Sequence, residues 1–292
     1  MKYIGFPRPS CTLAVMLEPV GQSPSKYSSN MKNYDYYNRE ERAICAHLFR
    51  LLHERLKEKH SSPLGQFLKI LSQSNLEFKN GTVDFNTLQF NNVAIYCETS
   101  IIRDAYQNAK PDVNGFMDRM TRLLMKQENV KDCRLYSQLP DPLSNISSTH
   151  PKQIRQKAES KGIKLTDGES KVFGAMQGMF NAKPDLVITI DNLLFVCEAK
   201  HTEKFDDKQL IRTWNISEVW SELLFEDLGF IEKPVYSVFK LGASDFMPHV
   251  SWADVSKIAD VTYTEDDRTR IAIKSGVYLL DRQMNKEIQH YI

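Results

Sequence analysis

The stretch from Lys183 to Lys200 constrains this chain most, because it contains two short apolar runs joined by Asp191 and Asn192. Both residues tolerate the positive φ angles that two-residue hairpin turns require. The sequence therefore predicts an antiparallel β-hairpin with residues 191 and 192 in its loop. The predicted register pairs Ile190 with Leu193, Ile188 with Phe195, and Asp185 with Glu198.

This register places two carboxylates, those of Asp185 and Glu198, directly opposite each other. Directly opposed side chains have Cβ atoms roughly 4.5–5.5 Å apart, and like charges at that separation destabilise a strand pair. A divalent cation between them would remove the repulsion, and Mg²⁺ accepts one or two carboxylates together with water and phosphate oxygens. Without a cation, we expect the repulsion to strain the fold. Because side chains alternate along a strand, Glu198 and Lys200 share one face and Ala199 points to the other.

Pro184-Asp185 and Glu198-Ala199-Lys200, set in such a hairpin, resemble the two half-motifs of the PD-(D/E)XK phosphodiesterase superfamily, the restriction-endonuclease-like nucleases. The resemblance implies that Asp185 and Glu198 hold Mg²⁺, for which Mn²⁺ is expected to substitute. It also implies that the backbone carbonyl of Ala199 adds a ligand and that Lys200 orients or activates the attacking water. The alternative is an ordinary hairpin with charged strand ends.

Many members of this superfamily contribute a further acidic residue from a helix ahead of the hairpin. Helical spacing of apolar residues predicts a helix over residues 39–59, and Glu41 lies on or beside its buried stripe. Glu41 therefore suits this role, Glu40 is the other choice, and Glu169 is a rival donor farther along the chain. The alternative is that Glu40 and Glu41 only favour the positive end of the helix dipole.

Gln209 lies in the first helix predicted after the hairpin, over residues 206–214. Some superfamily members place a glutamine near the reacting phosphate from this helix, which makes Gln209 a candidate catalytic residue. The alternative is a plain surface residue.

A basic run lies between His150 and Lys164 and is interrupted only by Glu159. Its members are Lys152, Arg155, Lys157, Lys161 and Lys164. Lysine and arginine at this density can neutralise phosphates along a nucleic-acid backbone. The alternative is a solvated helix face.

The two hairpin strands are apolar on both faces, which predicts a three-layer α/β core with helices covering both sides of the sheet. The resemblance implies a restriction-endonuclease-like core with a central mixed sheet. We expect a mobile arm over residues 1–30 and one nuclease domain over 31–292, with an inserted α/β elaboration, or a separate recognition subdomain, at about 61–165. Further strands are predicted at 92–99, 132–138, 234–240 and 271–280, and further helices at 101–108, 114–127, 217–228 and 252–258.

Composition limits the kinds of binding surface, metal site and cellular location that this chain is expected to have. The 292 residues carry 38 basic against 37 acidic side chains, so a nucleic-acid surface has to be local. The five cysteines lie far apart without a Cys-x-x-Cys pair, which argues against a disulfide framework or a zinc site and fits the cytoplasm. We expect no targeting segment and no membrane partner, because no apolar stretch is long enough to cross a bilayer.

These features predict a Mg²⁺-dependent phosphodiesterase that cleaves nucleic acid, with DNA the expected substrate and endonucleolytic cleavage the expected mode. Such folds serve restriction, phage defence or repair, so a second copy of the chain or partner proteins of a defence system are the further partners to expect. One alternative is a catalytically inactive nucleic-acid-binding or scaffolding subunit on the same fold, and another is an RNase. The presence of Asp185, Glu198 and Lys200 together favours an enzyme.

Overall fold

The computed structural model describes residues 41–109, 112–201 and 204–277. Its helices are α1 (Glu41–His53), α2 (Pro63–Ser72), α3 (Ile101–Asn108), α4 (Val113–Gln127), α5 (Ile154–Ser160), α6 (Asp167–Asn181), α7 (Asp207–Leu223) and α8 (Trp252–Thr262), followed by a helical segment over 268–277. Its strands are β1 (Val93–Cys97), β2 (Leu186–Ile190), β3 (Leu193–Ala199), β4 (Val235–Gly242) and β5 (Val250–Ser251). None of the helices in these ranges is long and apolar enough to span a bilayer.

The strands of the described residues form one mixed sheet in the order β1-β2-β3-β4-β5. β1 and β2 pair antiparallel, as do β2 and β3. β4 runs parallel to β3, and β5 runs parallel to β4. The parallel pair of β3 and β4 is connected through α7, as expected, because parallel neighbours require a long crossover.

The predicted hairpin and its register are confirmed, with Ile188 opposite Phe195 and Ile190 opposite Leu193. Asp191 adopts a left-handed conformation with φ of 51° in the turn. Its carboxylate also accepts hydrogen bonds from the backbone N–H groups of Gln89, Phe90 and Asn91, at 2.6, 3.1 and 3.0 Å. The turn is therefore tied to the segment that leads into β1.

Helices cover both faces of the sheet, as the apolar hairpin predicted. On one face, residues such as Ile188 and Phe195 pack in a core with α1, α2 and α8. On the other face, residues such as Val187 and Val196 pack in a second core with α4, α6 and α7. The protein is therefore α/β with a mixed sheet between two helical layers.

Three secondary-structure predictions are wrong. Residues 132–138 form no strand, because Arg134 turns to Glu169 and Tyr136 is buried in a short 3₁₀ turn. Residues 271–277 are helical, and residues 278–280 of that predicted strand lie outside the described residues. The two helices predicted over 206–214 and 217–228 are the single helix α7.

The segment 61–165 is not set apart from the sheet. It supplies β1, which pairs with β2, and α2, which joins the core on the α1 side. Its later part, α3 to α5, joins the core on the opposite face. The predicted arm over 1–30 lies outside the described residues.

Candidate active site

The end of β3 carries a buried ion pair between Glu198 and Lys200. The Lys200 Nζ lies 3.1 Å from Glu198 Oε1, and the two side chains are only 10% and 6% exposed. Thr213 of α7 donates its hydroxyl to Glu198 Oε2 at 3.2 Å. The alternation of side chains predicted along β3 thus brings Glu198 and Lys200 to the face that α7 covers.

Asp185 lies at the same end of the sheet, one residue before β2 begins. The backbone N–H of Ala199 donates to Asp185 Oδ2 at 2.8 Å, which places this carboxylate against the chain between Glu198 and Lys200. Glu198 and Asp185 each accept a hydrogen bond, and Lys200 balances one of the charges. The repulsion that the sequence suggested is therefore offset within the protein itself.

Lys200 and His201 form hydrogen bonds with segments later in the chain. Lys200 donates its N–H to the carbonyl of Leu241, and its own carbonyl accepts the indole N–H of Trp252 at 2.9 Å. His201, the next residue, is 1% exposed, and its Nε2 lies 3.1 Å from the carbonyl oxygen of Gly276. The predicted motif therefore ends in buried residues that are hydrogen-bonded to β4, α8 and the segment around Gly276.

Gln209 lies on α7, one helical turn before Thr213. The Thr213 hydroxyl contacts both the Gln209 carbonyl, at 3.0 Å, and Glu198. The half-buried Gln209 is thus on the helix that reaches the candidate site, and its catalytic role stays a prediction.

Glu41 is the first residue of α1, and its side chain, like all of Glu40, lies outside the described residues. The next residue, Arg42, forms an ion pair of 3.2 Å with Glu98, which directly follows β1. Glu98 donates its backbone N–H to the carbonyl of Asp185 at 3.3 Å and has a φ of 53°. The start of α1 therefore lies beside the strand end that contacts Asp185.

Glu98 is a further acidic residue near the site, and the motif spacing in the sequence does not identify it. The sequence feature that points to Glu98 is its position near the end of the strand predicted over 92–99. Only the pairing of β1 with β2 shows that this strand end meets Asp185.

Glu169 is a structural residue of α6. Both of its oxygens bind the guanidinium of Arg134, and one also accepts the backbone N–H of Thr166 at 2.9 Å in a capping box. The hydrogen bond from Arg134 lowers the pKa of Glu169. Glu169 lies in the first turn of α6, and the 1.5 Å rise per residue places it about 18 Å from the end of the helix that leads to Asp185. The structure does not bring this rival acid to the site.

The basic run follows α6 along its length. His150, just before the run, packs its ring against Phe180 near the end of α6, with centroids 5.2 Å apart. The run then passes through α5 and returns to the start of α6 at Thr166. Within the part of the chain that the structure describes, none of its five basic side chains has an ion-pair partner. A cleft of about 390 Å³ between α5 and α6 is lined by Arg155, Gln156 and Gln177 among others.

The donors at the end of β3 fit Mg²⁺ in chemical type, since hard oxygen ligands are those that this ion prefers. Asp185 and Glu198 supply two carboxylates, which is the number that Mg²⁺ commonly takes from a protein when phosphate and water complete its shell. The described residues contain no group of three or more histidine, cysteine, aspartate or glutamate side chains that could hold a metal. A cation here would therefore need substrate, water or a backbone carbonyl such as that of Ala199 as further ligands.

Comparison of the chain with protein-family models, with curated proteins and with solved structures found no match. The geometry of the residues themselves is accordingly the basis for inferring a function. Two carboxylates and a lysine lie together at one end of a mixed sheet, and α7 packs over them with the hydroxyl of Thr213 hydrogen-bonded to Glu198.

Proposed function

We propose that this protein is a metal-dependent nuclease that hydrolyses phosphodiester bonds in nucleic acid, with DNA as the expected substrate. One observation carries the proposal: a buried lysine lies 3.1 Å from Glu198, while Asp185 hydrogen-bonds the backbone between them. Burying a charged pair costs desolvation energy, so replacing such a pair with apolar residues is often neutral or stabilising. A buried acid and base at a strand end is therefore better explained by chemistry than by stability.

Asp185 and Glu198 would hold Mg²⁺, with the Ala199 carbonyl as an added ligand. When bound, the cation would lower the pKa of a bound water and neutralise charge on the scissile phosphate. Lys200 would donate a hydrogen bond to the attacking water and orient it for in-line attack. Thr213 would hold the Glu198 carboxylate in position through its 3.2 Å hydrogen bond, and Gln209 would approach the phosphate from the preceding turn of α7.

The basic run supports nucleic acid as the substrate class. Its side chains have no internal anion to neutralise among the described residues, so a bound polyanion could replace their counterions. The run starts beside the end of α6, and the chain reaches Asp185 four residues after α6 ends. A strand bound along α5 and α6 would therefore lead toward the carboxylates.

The competing function is a subunit that binds nucleic acid without cleaving it. Such a protein has no need of a buried lysine beside a carboxylate, and the intact set of Asp185, Glu198 and Lys200 favours the enzyme. An RNase on the same fold would use the same residues, so the substrate panel decides between DNA and RNA.

The test is incubation of the purified protein with plasmid DNA, single-stranded DNA and RNA, each with Mg²⁺, Mn²⁺ or EDTA. We expect cleavage of DNA that depends on the metal and stops in EDTA. The matched control is Asp185→Asn, which keeps the size of the side chain and removes its charge. Binding without cleavage under all conditions would favour the scaffolding function, and cleavage of RNA only would favour the RNase.

A further inference from the structure

Lys240 emerges beside the candidate catalytic residues on the neighbouring strand. The parallel register of β3 and β4 pairs Glu198 with Lys240. Neighbouring strands lie about 4.8 Å apart, and register partners project their side chains to the same face of the sheet. The face that carries Glu198 and Lys200 therefore carries a second lysine one strand away.

An aromatic ring supports the ammonium group of Lys240. Its Nζ lies 5.5 Å from the centroid of the Phe205 ring, a distance at which a cation is attracted to the face of an aromatic ring. Phe205 in turn packs on Gly242, where an added Cβ would lie 2.9 Å from Phe205 Cζ and 3.0 Å from Phe205 Cε2. The absence of a side chain at Gly242 thus makes room for the ring beneath Lys240.

Lys240 differs from other lysines of this region in its electrostatic partners. Lys200 pairs with Glu198, and Lys233, just before β4, pairs with Glu222. Within residues 41–109, 112–201 and 204–277, Lys240 has no carboxylate partner, although it is only half-exposed. A positioned cation with an aromatic support and no internal anion is suited to bind an external one.

We infer that Lys240 binds the substrate phosphate next to the one that is cleaved. This inference rests on the proposed nuclease function and assigns the two lysines different tasks. Lys200, paired with Glu198, belongs to the reacting centre and acts on the rate of cleavage. Lys240, one strand farther from Asp185, is a substrate-binding residue that acts on affinity.

The test compares the steady-state kinetics and salt dependence of Lys240→Met with those of the wild-type protein. We expect KM to rise about tenfold, since hydrogen bonds to charged groups are of that strength, with kcat within a factor of about two. The slope of log affinity against log salt should become shallower by about one, as for the loss of one phosphate contact. Lys240→Arg, which keeps the charge and can stack on the ring, should restore both values.

Two further variants sharpen the comparison. Phe205→Leu removes the ring but keeps the charge, so KM should rise by a smaller factor than in Lys240→Met. Lys233→Met removes a lysine whose charge is already paired with Glu222, and it should leave KM and the salt slope unchanged. If Lys240→Met does not fold, Phe205→Leu carries the test, and an unchanged KM in that variant would overturn the inference.

The failure of this inference is distinguishable from failure of the proposed function. Suppose that Asp185→Asn abolishes metal-dependent cleavage but Lys240→Met leaves KM and the salt slope unchanged. That result would refute the role of Lys240 and leave the proposed nuclease function intact. A fall in kcat with Lys240→Met as large as that with Lys200→Ala would place Lys240 in the reacting centre and also refute it. A wild-type protein that neither cleaves nor binds nucleic acid would remove both proposals.

Discussion

Replacing Lys200 by methionine would leave the buried carboxylate of Glu198 without the ammonium that balances it. The two side chains are 6% and 10% exposed, so water can restore little of the lost interaction. Removing one partner of a buried ion pair typically costs about 3–5 kcal/mol. Because Thr213 still donates to Glu198, we expect the lower end, about 3 kcal/mol. For a chain of this size, that loss corresponds to a fall in melting temperature of roughly 6 °C.

The double variant Glu198→Gln with Lys200→Met separates the interaction energy of the two charges from the contributions of the surrounding site. Glu198→Gln should also cost about 3 kcal/mol, because it leaves the lysine buried opposite a neutral amide. Removing both charges of the pair leaves neither partner uncompensated, so we expect the double variant to lose only about 1 kcal/mol. The double-mutant cycle would then give a coupling energy of about 5 kcal/mol, above the usual range for residues in contact and in keeping with a buried charge pair.

The assay is equilibrium unfolding in urea with EDTA present, followed by circular dichroism. Lys274→Met is the matched control, since Lys274 pairs with Asp260 at the surface with side chains 46% and 35% exposed. That change should cost less than about 1 kcal/mol. The two charges do not form a buried pair if each single variant of Glu198 and Lys200 loses less than about 1 kcal/mol of unfolding free energy and the two losses add without coupling.

Three other predictions follow from the site and its surroundings. Mn²⁺ or Mg²⁺ at about one hundred times its Kd should stabilise the folded protein by about 2.7 kcal/mol, and Mn²⁺ should be at least as effective as Mg²⁺. If Asp185→Asn keeps the metal-induced rise in melting temperature, the metal binds elsewhere. Reversing Lys152, Arg155 and Lys157 to glutamate should weaken nucleic-acid affinity and flatten its salt dependence with little change in melting temperature, whereas an unchanged slope would make the run a solvated face. Burial and, less strongly, the charge of Lys240 lower the pKa of His249 from 6.5 to about 4. As the pH falls, the histidine of the unfolded chain is therefore protonated before that of the folded protein. The folded state should lose stability between about pH 6.5 and about pH 4. His249→Asn should flatten this pH dependence of urea unfolding, and an equal dependence in the variant and the wild type would contradict it.

The hairpin was predictable because its information is local. Asp191 and Asn192 identify the turn, and a turn of two residues determines every pair along the strands. Apolar residues on both faces of both strands predicted helical layers on both sides, which the two cores confirm. The placement of Glu198 and Lys200 on one face followed from the alternation of side chains along a strand.

The wrong strand predictions fall on short segments whose pattern fits a strand only locally. Residues 132–135 alternate in polarity, but Tyr136 is buried in a helical turn and Arg134 binds Glu169. Residues 271–273 form a short apolar run, yet Ala272, Ile273 and Gly276 are buried at a helical spacing. A short alternating segment does not reveal whether a partner strand exists.

The parts of the site that the sequence did not reveal depend on contacts between distant segments. Thr213 reaches Glu198 only because α7 packs on the face of β3, and the parallel register of β4 places Lys240 one strand away from Glu198. Glu98 meets Asp185 through the pairing of β1 with β2. Hairpin registers follow from turn length, but registers across a helix or a long insertion do not.

The most direct test of the central claim is the rate of nucleic-acid cleavage by Asp185→Asn beside the wild-type protein, purified in parallel and assayed in Mg²⁺. The substitution removes a carboxylate charge from the proposed metal site without removing core packing, so the melting temperature in EDTA should change little. We expect the cleavage rate to fall by at least about 10³, the scale on which loss of a transition-state interaction lowers kcat. A variant that cleaves at nearly the wild-type rate would show that Asp185, and with it the end of β3, is not the active site.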